Sequence, residues 1–501
     1  MAGKRCIIAL LPVKFRRWAL ILAMAALLAL GVVLVLPHGA PEPVTGSRLK
    51  SAAQGLTDYD VTLRLNPEEA TLAIAETFQF TNRTGDTLDA LVVRTWLNAF
   101  QKEETSPAAA EELYDACYPS GFSPGGLTWY DVLWNGERAS WSYVNEDETA
   151  MEIAVPALQN GESGTLTLRC VARIPECAHR LGHIGEDYQL GNVLPILSRY
   201  EDGAWRADPY SPIGDPFVSD CANFHVTVHL PDGYMPACTA YLTKRDDGAW
   251  RGDALAVRDF ALCASPNYHT ASAKAGETVV VSCAFTEAGA KRALDDAKKA
   301  LGTFSGLYGA YPWPTLTVCA VYFPFSGMEY PAFIMAGVEN YADEKADTLE
   351  LTVAHETAHQ WFYALTGSDQ AKQPWQDEAL CEYTMLRYVQ KRYGQSGFDT
   401  LKYYRVDAPM RENIPGSLTP GSPIDYFGNL SDYSAVVYGR GAALLLALDE
   451  LLPGGADAFL RAYAEEFAFQ YVTRARFEAF LNQYSGMDLG PLVTDYLDTA
   501  M

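Results

Sequence analysis

The first half of the chain alternates apolar and polar residues over short segments. Such alternation places one face of a segment against a core and the other in solvent, as in half-buried antiparallel strands. The segments end at or near Asn, Asp, Gly or Pro, which are typical of turns. The clearest examples are YDVTLRLN, ATLAIAETFQFTN, LDALVVRTWLN, ESGTLTLRCVARI, FHVTVHLPDG and ETVVVSCAF, which lie within residues 59–285. We therefore predict one all-β, sandwich-like domain at residues 56–286.

The spacing of the apolar residues changes near residue 287. EAGAKRALDDAKKALGTFSGLYG has helical spacing and ends at a glycine. A short strand-like stretch, TLTVCAVYF, follows it. Further helical patterns are found at residues 345–365, 377–393, 433–451, 456–467 and 474–484. The change of period predicts a second, mostly α-helical domain at residues 287–501.

The N-terminus carries an uninterrupted apolar segment. Residues 18–36 are nineteen consecutive apolar residues, which is about the length that spans a bilayer as a helix. Basic residues within 1–17 precede it, and a Pro- and Gly-containing stretch that we interpret as a linker, 37–55, follows it. The positive-inside rule then predicts a single-pass cell-membrane protein with a cytoplasmic tail and an extracytoplasmic catalytic domain. A cleaved signal peptide is the alternative, although the segment is long for one and no small-x-small cleavage site closes it.

The overall charge excludes one class of partner. The chain has 62 acidic against 38 basic residues and a formal net charge of -24. Nucleic-acid binding requires a positive surface, so we expect no nucleic-acid partner. The ten cysteines show no CxxC spacing, and we interpret most of them as small buried hydrophobic residues. A disulfide such as one between Cys170 and Cys177 is the alternative.

One motif carries recognisable chemistry. The sequence VAHETAHQW contains His355-Glu356-x-x-His359. Side chains four residues apart lie on one face of a helix, so both imidazoles can reach one metal ion, and Glu356 lies beside them. Glu378 follows His359 after eighteen intervening residues and offers a third ligand. Two histidines and one carboxylate leave the fourth position of a zinc ion open, as a catalytic site requires, so we predict one Zn²⁺ held by these three residues.

This spacing, with the last Glu inside a WxxE segment, resembles the aminopeptidase N family of zinc peptidases, which are gluzincins. Two further segments agree: GMEYP at 327–331 is similar to the family's Gly-x-Met-Glu-Asn, and VVYGRGAAL around Tyr438 is similar to its Tyr-x-Lys-Gly. The resemblance covers most of residues 290–501 and implies a thermolysin-like (α+β) catalytic domain behind a strand-rich domain. Because the sequence ends about sixty residues after Tyr438, we expect a short bacterial-type member without the family's C-terminal helical domain.

The resemblance also implies roles for individual residues in a zinc-dependent aminopeptidase that acts on peptides. It implies that Glu356 accepts the proton of the attacking water and that Tyr438 donates a hydrogen bond to the oxyanion. It further implies that Glu329 binds the free α-ammonium of the substrate. Gly327 and Met328 would present backbone groups to the peptide.

A second segment competes with Glu329 for the role of binding the amine, and the residue after Glu329 departs from the family's pattern. GVEN at 337–340 also resembles the amine-binding segment, but it lacks the Met, and Glu339 lies only sixteen residues before His355. We therefore assign Glu329. Tyr330 stands where the family has Asn, which changes the expected shape of the first substrate pocket.

Other functions and other residues stay open at this point. The same zinc site suits an endopeptidase or a hydrolase of non-peptide substrates, and a catalytically weak protein that only binds peptides is a third possibility. Asp377 and Glu382 are candidates to orient a zinc ligand, but a helix cap and a solvated helix face explain them equally well. His225 and His229 share one face of a predicted strand without a third ligand, so we interpret them as surface residues.

Overall fold

The computed structural model of the chain describes residues 46–110, 112–343, 347–411, 414 and 416–499. The transmembrane segment predicted at 18–36, the tail at 1–17 and most of the linker lie outside these residues. Within the described part, the end of the predicted linker is a helix, Ser47–Ala53, whose Leu49 is buried.

The single-pass membrane architecture and the cell-membrane localisation predicted from the sequence are corrected by the structure. No helix among the described residues is both long enough and apolar enough to cross a bilayer. The two longest described helices, Glu287–Tyr308 and Trp375–Lys402, carry many charged residues, which are costly in a hydrocarbon environment. The observed architecture is a sheet-rich region followed by a helical one.

Strands dominate the chain up to residue 284, and five more are found after it. They are β1 (Thr57–Asn66), β2 (Thr71–Thr81), β3 (Leu88–Arg94), β4 (Gly126–Trp134), β5 (Glu137–Arg138), β6 (Trp141–Tyr143), β7 (Ala150–Leu158), β8 (Ser163–Arg173), β9 (Leu181–Ile184), β10 (Asp187–Leu190), β11 (Ile196–Leu197), β12 (Tyr200–Glu201), β13 (Ala204–Trp205), β14 (Ala222–His229), β15 (Met235–Cys238), β16 (Thr243–Lys244), β17 (Trp250–Val257), β18 (Leu262–Ser265), β19 (His269–Ala275), β20 (Thr278–Ala284), β21 (Thr315–Val321), β22 (Gly327–Met328), β23 (Phe333–Gly337), β24 (Thr366–Gly367) and β25 (Gln470–Tyr471).

The helices follow the same chain order and are concentrated in the second half. They are α1 (Ser47–Ala53), α2 (Tyr114–Cys117), α3 (Glu287–Tyr308), α4 (Thr348–His359), α5 (Trp375–Lys402), α6 (Leu430–Tyr433), α7 (Gly441–Leu451), α8 (Gly455–Glu466), α9 (Arg474–Ser485) and α10 (Gly490–Asp498). Short 3-10 turns are found at Trp96–Gln101, Glu103–Thr105, Pro107–Ala109, Val338–Tyr341, Pro409–Arg411 and Ile424–Tyr426, and π-helical turns at Gln360–Leu365, Tyr403–Asp407 and Ser434–Arg440.

The largest sheet has eight strands in the order β16-β17-β14-β1-β2-β8-β4-β5. Its central strand β2 shows why alternation predicted it: Leu72, Ile74 and Phe78 point to one face and are buried. Glu76 lies on the same face and is buried with them. Two four-stranded sheets, β15-β18-β10-β9 and β11-β3-β7-β6, complete most of the sheet-rich region.

A five-stranded sheet, in the order β19-β20-β21-β23-β22, joins the two halves of the sequence. The strands β20, β21 and β23 are parallel, and β22 pairs antiparallel with β23 at the edge. Helix α3 packs on β19 and β20, and helix α4 packs on β22 and β23. Two strands of this sheet therefore precede the boundary predicted at 286/287, and that boundary remains a prediction.

Several local predictions are confirmed, and one is wrong in part. Helix α3 begins where Thr286 accepts a hydrogen bond from the Gly289 amide, and it ends at Gly309, which has a φ of 105°. The segment LDALVVRTWLN is a strand only as far as Arg94, because its second half turns into the 3-10 helix Trp96–Gln101. The nine cysteines after the apolar segment are all buried and unpaired.

Two hydrogen bonds of Arg258 and one ion pair of Arg206 attach the helical region to the sheet-rich region near the candidate site. Arg258 donates to the carbonyls of Tyr363 (2.9 Å) and Gln470 (2.6 Å). Arg206 pairs with Asp369 at 2.6 Å, and both side chains are buried. The loop between α4 and α5 is therefore held in place from outside the helical region.

Candidate active site

Helices α4 and α5 bring the three predicted metal ligands together. His355 and His359 lie one turn apart on α4, and their Nε2 atoms are 3.1 Å from each other. Glu378 lies in the first turn of α5, with its Oε2 3.3 Å from Nε2 of His355 and 3.4 Å from Nε2 of His359. All three side chains are buried.

The donor set fits a zinc ion. A tetrahedral zinc with ligands at about 2.0–2.1 Å places neighbouring ligand atoms about 3.3 Å apart. The three distances of 3.1, 3.3 and 3.4 Å match that value. Two imidazole nitrogens and a carboxylate oxygen converge on one point, and one cation there can accept an electron pair from all three.

The two imidazoles are held differently on their outer sides. Nδ1 of His359 lies 2.6 Å from Oδ1 of Asp377, a hydrogen bond that directs Nε2 of His359 toward the other ligands. Nδ1 of His355 lies 3.6 Å from Oε2 of Glu382, which is too long for a hydrogen bond. Both residues that the sequence left ambiguous, Asp377 and Glu382, therefore lie beside the candidate ligands.

The electrostatics of this cluster favour a cation. Burial opposes a charge on His359, but its neighbours Cys381 and Asp377 raise its pKa well above the usual value. Burial favours the neutral acid of Glu378, but hydrogen bonds from both imidazoles hold its pKa below the usual range. Burial raises the pKa of Asp377 to about 6. The carboxylate of Glu378 therefore keeps its negative charge next to the two imidazole nitrogens.

Glu356 lies next to the ligands and against the edge strand β22. Burial is the main cause that raises its pKa to about 8. A Cβ atom at Gly327 would collide with the Glu356 carboxyl group, so only glycine permits this close approach of strand and acid. The backbone of β22 has a strand neighbour on one side only, since β22 is the last strand of the five-stranded sheet.

Tyr438 lies in the π-helical turn Ser434–Arg440. Its ring stacks on the ring of His355, with centroids 5.6 Å apart and planes 20° from parallel. Burial raises the pKa of Tyr438 well above its usual value, so the hydroxyl keeps its proton at neutral pH and can donate a hydrogen bond.

Glu329 lies at the closed end of the site, on the side of His359. It is 3% exposed, and its Oε1 lies 3.3 Å from Nε2 of Gln370. The same nitrogen of Gln370 donates to Oδ2 of Asp377 at 2.6 Å, so Gln370 connects the two carboxylates. Glu339, the competing sequence candidate, is exposed on the surface.

Tyr330, which departs from the family's pattern, is fully buried and connects this segment to the sheet-rich region. Its hydroxyl donates to Oδ1 of Asn192 at 2.6 Å, and its carbonyl accepts from Nε2 of Gln360 at 3.2 Å. Asn192 in turn donates to Asp259. The segment that carries Glu329 is therefore fixed by contacts on both sides.

A cleft of about 470 Å³ opens over His355, Glu356 and Tyr438. The sheet-rich region contributes the buried pair of Arg180 and Asp215 to its lining, and the helical region contributes Leu401 and Arg405. Sequence reasoning did not identify these residues or Gln370, because each is a single residue without a spacing that signals chemistry. The sequence indicated functional residues only through ordered motifs, and none of these residues belongs to such a motif.

A family model and several relatives match this chain. Residues 292–496 match the peptidase family M1 domain. Leukotriene A-4 hydrolase from Xenopus laevis is 28% identical over 203 residues, which are 38% of this chain and 32% of that protein. Aminopeptidase RNPEPL1 from Mus musculus is 30% identical over 183 residues, 33% of this chain and 24% of that protein. The chain thus spans a quarter to a third of the length of these relatives.

Solved structures share the fold over nearly the whole chain. The M1 zinc metallopeptidase from Deinococcus radiodurans has a TM-score of 0.59 at 18% identity, covering 89% of this chain and 94% of that one. Yeast LTA4 hydrolase in complex with bestatin has a TM-score of 0.63 at 15% identity, covering 98% of this chain and 72% of that one. A sheet-rich region followed by a helical region is therefore an arrangement shared with these proteins.

Proposed function

We propose that this chain is a zinc-dependent aminopeptidase, on the premise that its residues 292–496 match the peptidase family M1 domain. Its substrates would be peptides with a free N-terminus. The premise is supported by the zinc-compatible triad of His355, His359 and Glu378. Aminopeptidases are among its named relatives.

The observation that carries the proposal is the placement of Glu329. This carboxylate is buried next to Glu356 and His359, directly after the cleft-lining residues Gly327 and Met328, and its only hydrogen-bond partner among the described residues is the neutral amide of Gln370. A buried carboxylate whose only hydrogen bond comes from a neutral amide is stabilised when a ligand supplies a positive charge. A substrate α-ammonium supplies it, and the bond to be cleaved would then lie one residue further, at the metal ligands.

The edge strand β22 would bind the peptide backbone. Gly327 and Met328 pair with β23 on one side only, which leaves the other side of the strand free to add the substrate as a further antiparallel strand. Such pairing would align the peptide along the cleft, with its N-terminus at Glu329.

The catalytic roles follow from the positions of two side chains. A zinc ion held by His355, His359 and Glu378 would supply polarisation of the scissile carbonyl and acidification of the attacking water. Glu356 would accept the proton of that water and deliver it to the leaving amine. Tyr438 would donate a hydrogen bond to the carbonyl oxygen as it gains negative charge.

One relative has been solved with a peptide substrate, and the name of another suggests a second candidate function. A mutant of the Deinococcus radiodurans M1 zinc metallopeptidase has been solved with a Tyr-Ser-Ala substrate. One relative is named leukotriene A-4 hydrolase, and this name favours hydrolysis of a non-peptide substrate at the same site as the second candidate.

The test compares aminoacyl-arylamides with their N-acetylated counterparts, using the full chain loaded with zinc. We expect cleavage of the free forms only, loss of cleavage with a chelator, and recovery with added zinc. Glu329→Gln should lower kcat/KM for the free forms about 100-fold, since it removes the charge that pairs with the ammonium. Glu339→Gln is the matched control, because Glu339 is an exposed glutamate ten residues away, and it should leave kcat/KM unchanged.

Each other result points to a different function. Cleavage of the acetylated substrates would indicate an endopeptidase and remove the role of Glu329. Stoichiometric zinc binding without cleavage of any peptide substrate would indicate a hydrolase of other compounds or a peptide-binding protein.

A further inference from the structure

Apart from the proposed zinc ion, the described lining of the cleft has one accessible cationic side chain. Among the described residues that line it, the Arg and Lys side chains are Arg180 and Arg405. Arg180 is buried and forms an ion pair with Asp215, so its charge is compensated within the wall. Arg405 lines the cleft with 40% of its side-chain surface exposed. A negatively charged ligand in the cleft would therefore meet only Arg405 as an accessible cation of the described lining.

A buried carboxylate fixes the orientation of Arg405. Its Nε and Nη2 atoms donate to the two oxygens of Glu382, both at 2.8 Å. Glu382 is completely buried, so this two-point contact holds the guanidinium plane in place. The third nitrogen, Nη1, has no hydrogen-bond partner among the described residues, and its donors remain available to a ligand in the cleft.

Arg405 lies on the His355 side of the candidate metal ligands, and Glu329 lies on the His359 side. Glu329 connects through Gln370 and Asp377 to His359. Arg405 connects through Glu382 to His355, which is also the imidazole that stacks with Tyr438. A peptide with its ammonium at Glu329 and its first carbonyl at the ligands would thus extend toward Arg405.

We propose that Arg405 binds a substrate carboxylate on the C-terminal side of the cleaved bond. The carboxylate is either the α-carboxylate of a dipeptide or the side-chain carboxylate of Asp or Glu at the second position. The inference rests on the proposed function, because the direction of the bound peptide is set by Glu329. The inference adds to the proposed function a preference for substrates with an acidic group on the C-terminal side of the cleaved bond.

The charge of the surroundings makes such a residue necessary for acidic substrates. Glu378 and Asp377 lie at the candidate zinc site, and the sequence has a formal net charge of -24. These charges repel a substrate carboxylate, and repulsion in a partly buried cleft is screened less than at a surface. Arg405, which Glu382 already orients, offsets this repulsion only next to its own guanidinium group. It therefore also selects where the substrate carboxylate binds.

The first experiment measures substrate pairs that differ only in the carboxylate. Leucyl-alanine is compared with leucyl-alaninamide, and leucyl-aspartyl amide with leucyl-asparaginyl amide. We expect kcat/KM to be about tenfold higher for the acidic member of at least one pair, mainly through KM. The pair that shows the preference identifies the α-carboxylate or the side chain as the source. Equal or faster cleavage of the neutral member in both pairs would overturn the proposal.

The second experiment uses variants and compares the acid-to-neutral ratio within each of them. Arg405→Gln leaves Glu382 without its cation and can disturb His355, so the ratio is the readout rather than the absolute rate. We expect the ratio to fall to about one in Arg405→Gln and to keep an intermediate value in Arg405→Lys, which retains the charge without the planar fork. A ratio that stays at the wild-type value in Arg405→Gln would overturn the proposal.

Arg474→Gln is the matched control. Arg474 also makes a two-nitrogen contact with one carboxylate, that of Asp498, but it does not line the cleft. Its variant should keep the wild-type ratio. Calorimetric binding of the same pairs to the Glu356→Ala variant gives a readout without turnover, and the acidic member should bind about tenfold more tightly.

Aminoacyl-arylamides separate failure of this inference from failure of the proposed function, because they carry no carboxylate. If arylamides are cleaved but the acidic and neutral members are cleaved equally, only the role of Arg405 is wrong. If arylamides are not cleaved and the dipeptides are not cleaved either, the proposed aminopeptidase function fails, and the role of Arg405 fails with it.

Discussion

The two sides of the candidate metal site are built differently. On the side of His359 the site is closed: Asp377 hydrogen-bonds the imidazole at 2.6 Å, and Gln370 ties Asp377 to Glu329. On the side of His355 the site is open: the carboxylate facing Nδ1 of this imidazole, that of Glu382, is 3.6 Å away and is shared with the half-exposed Arg405. The closed side suits a feature that every substrate has, the N-terminus, whereas the open side suits a part of the substrate that varies.

The largest effect is expected where the two sides meet, at Gly327. In Gly327→Ala the new methyl group would displace the Glu356 carboxyl group, which it would otherwise overlap. Because a catalytic group misplaced by about 1 Å costs about 100-fold in rate, kcat should fall by at least that factor while zinc affinity stays the same. Steady-state kinetics and a competition assay with a chromophoric chelator measure the two quantities.

Gly302→Ala is the control for that substitution, since a Cβ at Gly302 meets no atom within 4 Å. It should leave kcat unchanged. An unchanged kcat in Gly327→Ala would show that Glu356 moves aside without losing its role, and the proposed base would then be wrong.

The next largest effect sharpens the contrast between the two imidazoles. Asp377→Asn should weaken zinc binding about 10- to 100-fold, because it removes the charge that orients His359 and increases its basicity. Glu382→Gln should weaken zinc binding less than Asp377→Asn does, because Glu382 is too far from His355 for a hydrogen bond. Zinc dissociation constants from chelator competition decide between them, and a larger effect of Glu382→Gln would reverse the comparison.

A smaller effect is expected at the anchor of the closed side. Tyr330→Phe removes the hydroxyl that donates to Asn192 at 2.6 Å and keeps the ring in place. The loss of one buried hydrogen bond is worth about 1 kcal/mol, so KM for aminoacyl-arylamides should rise about fivefold, with kcat nearly constant. If instead kcat fell and KM stayed constant, Tyr330 would position the reacting groups rather than Glu329.

The smallest effect on activity is expected far from the cleft, at Glu76 in β2. Both carboxyl oxygens of this residue are buried without a hydrogen-bond partner among the described residues, and burial raises its pKa well above 4.5. Because the pKa is higher in the folded than in the unfolded state, the contribution of Glu76 to the stability is greatest below pH 4.5 and is lost as the pH rises toward the folded value.

We therefore expect Glu76→Met to stabilise the fold at pH 8 by about 1–3 kcal/mol and to have a smaller effect at pH 5, with kinetics unchanged. Urea denaturation at the two pH values measures this difference. Equal effects at both pH values would mean that the Glu76 carboxyl does not titrate differently in the folded and unfolded states. Glu76 would then not differ in its titration from Glu329 and Asp377, the hydrogen-bonded acids on the closed side of the site.

Much of the fold was predictable from periodicity, and its limits are physical. Strands such as β1, β2 and β8 were predicted because they alternate over ten or eleven residues. Two-residue strands such as β12 and β13 are too short to show a period, and pairing in the folded chain alone defines them. The apolar N-terminal segment led to a membrane prediction that the described structure does not support.

The candidate site was predictable where its residues share an element or an ordered motif. His355, Glu356 and His359 lie on one helix, and Glu378 begins the next, so spacing alone indicated a metal site. Gln370 lies in the connecting loop, and its contacts with Glu329 and Asp377 depend on a loop path fixed by Arg206. No local pattern in a sequence encodes such a path.

The five-stranded sheet has a consequence for how the protein can be divided. Its first two strands, β19 and β20, come from the sequence before residue 285, while the edge strand β22 lies against the catalytic residues. A fragment cut at the change from strands to helices would expose a hydrophobic parallel strand, β21, that is buried in the intact chain. A transplantable catalytic module would therefore have to begin before His269, and modularity in this protein follows sheet pairing rather than the change in sequence pattern.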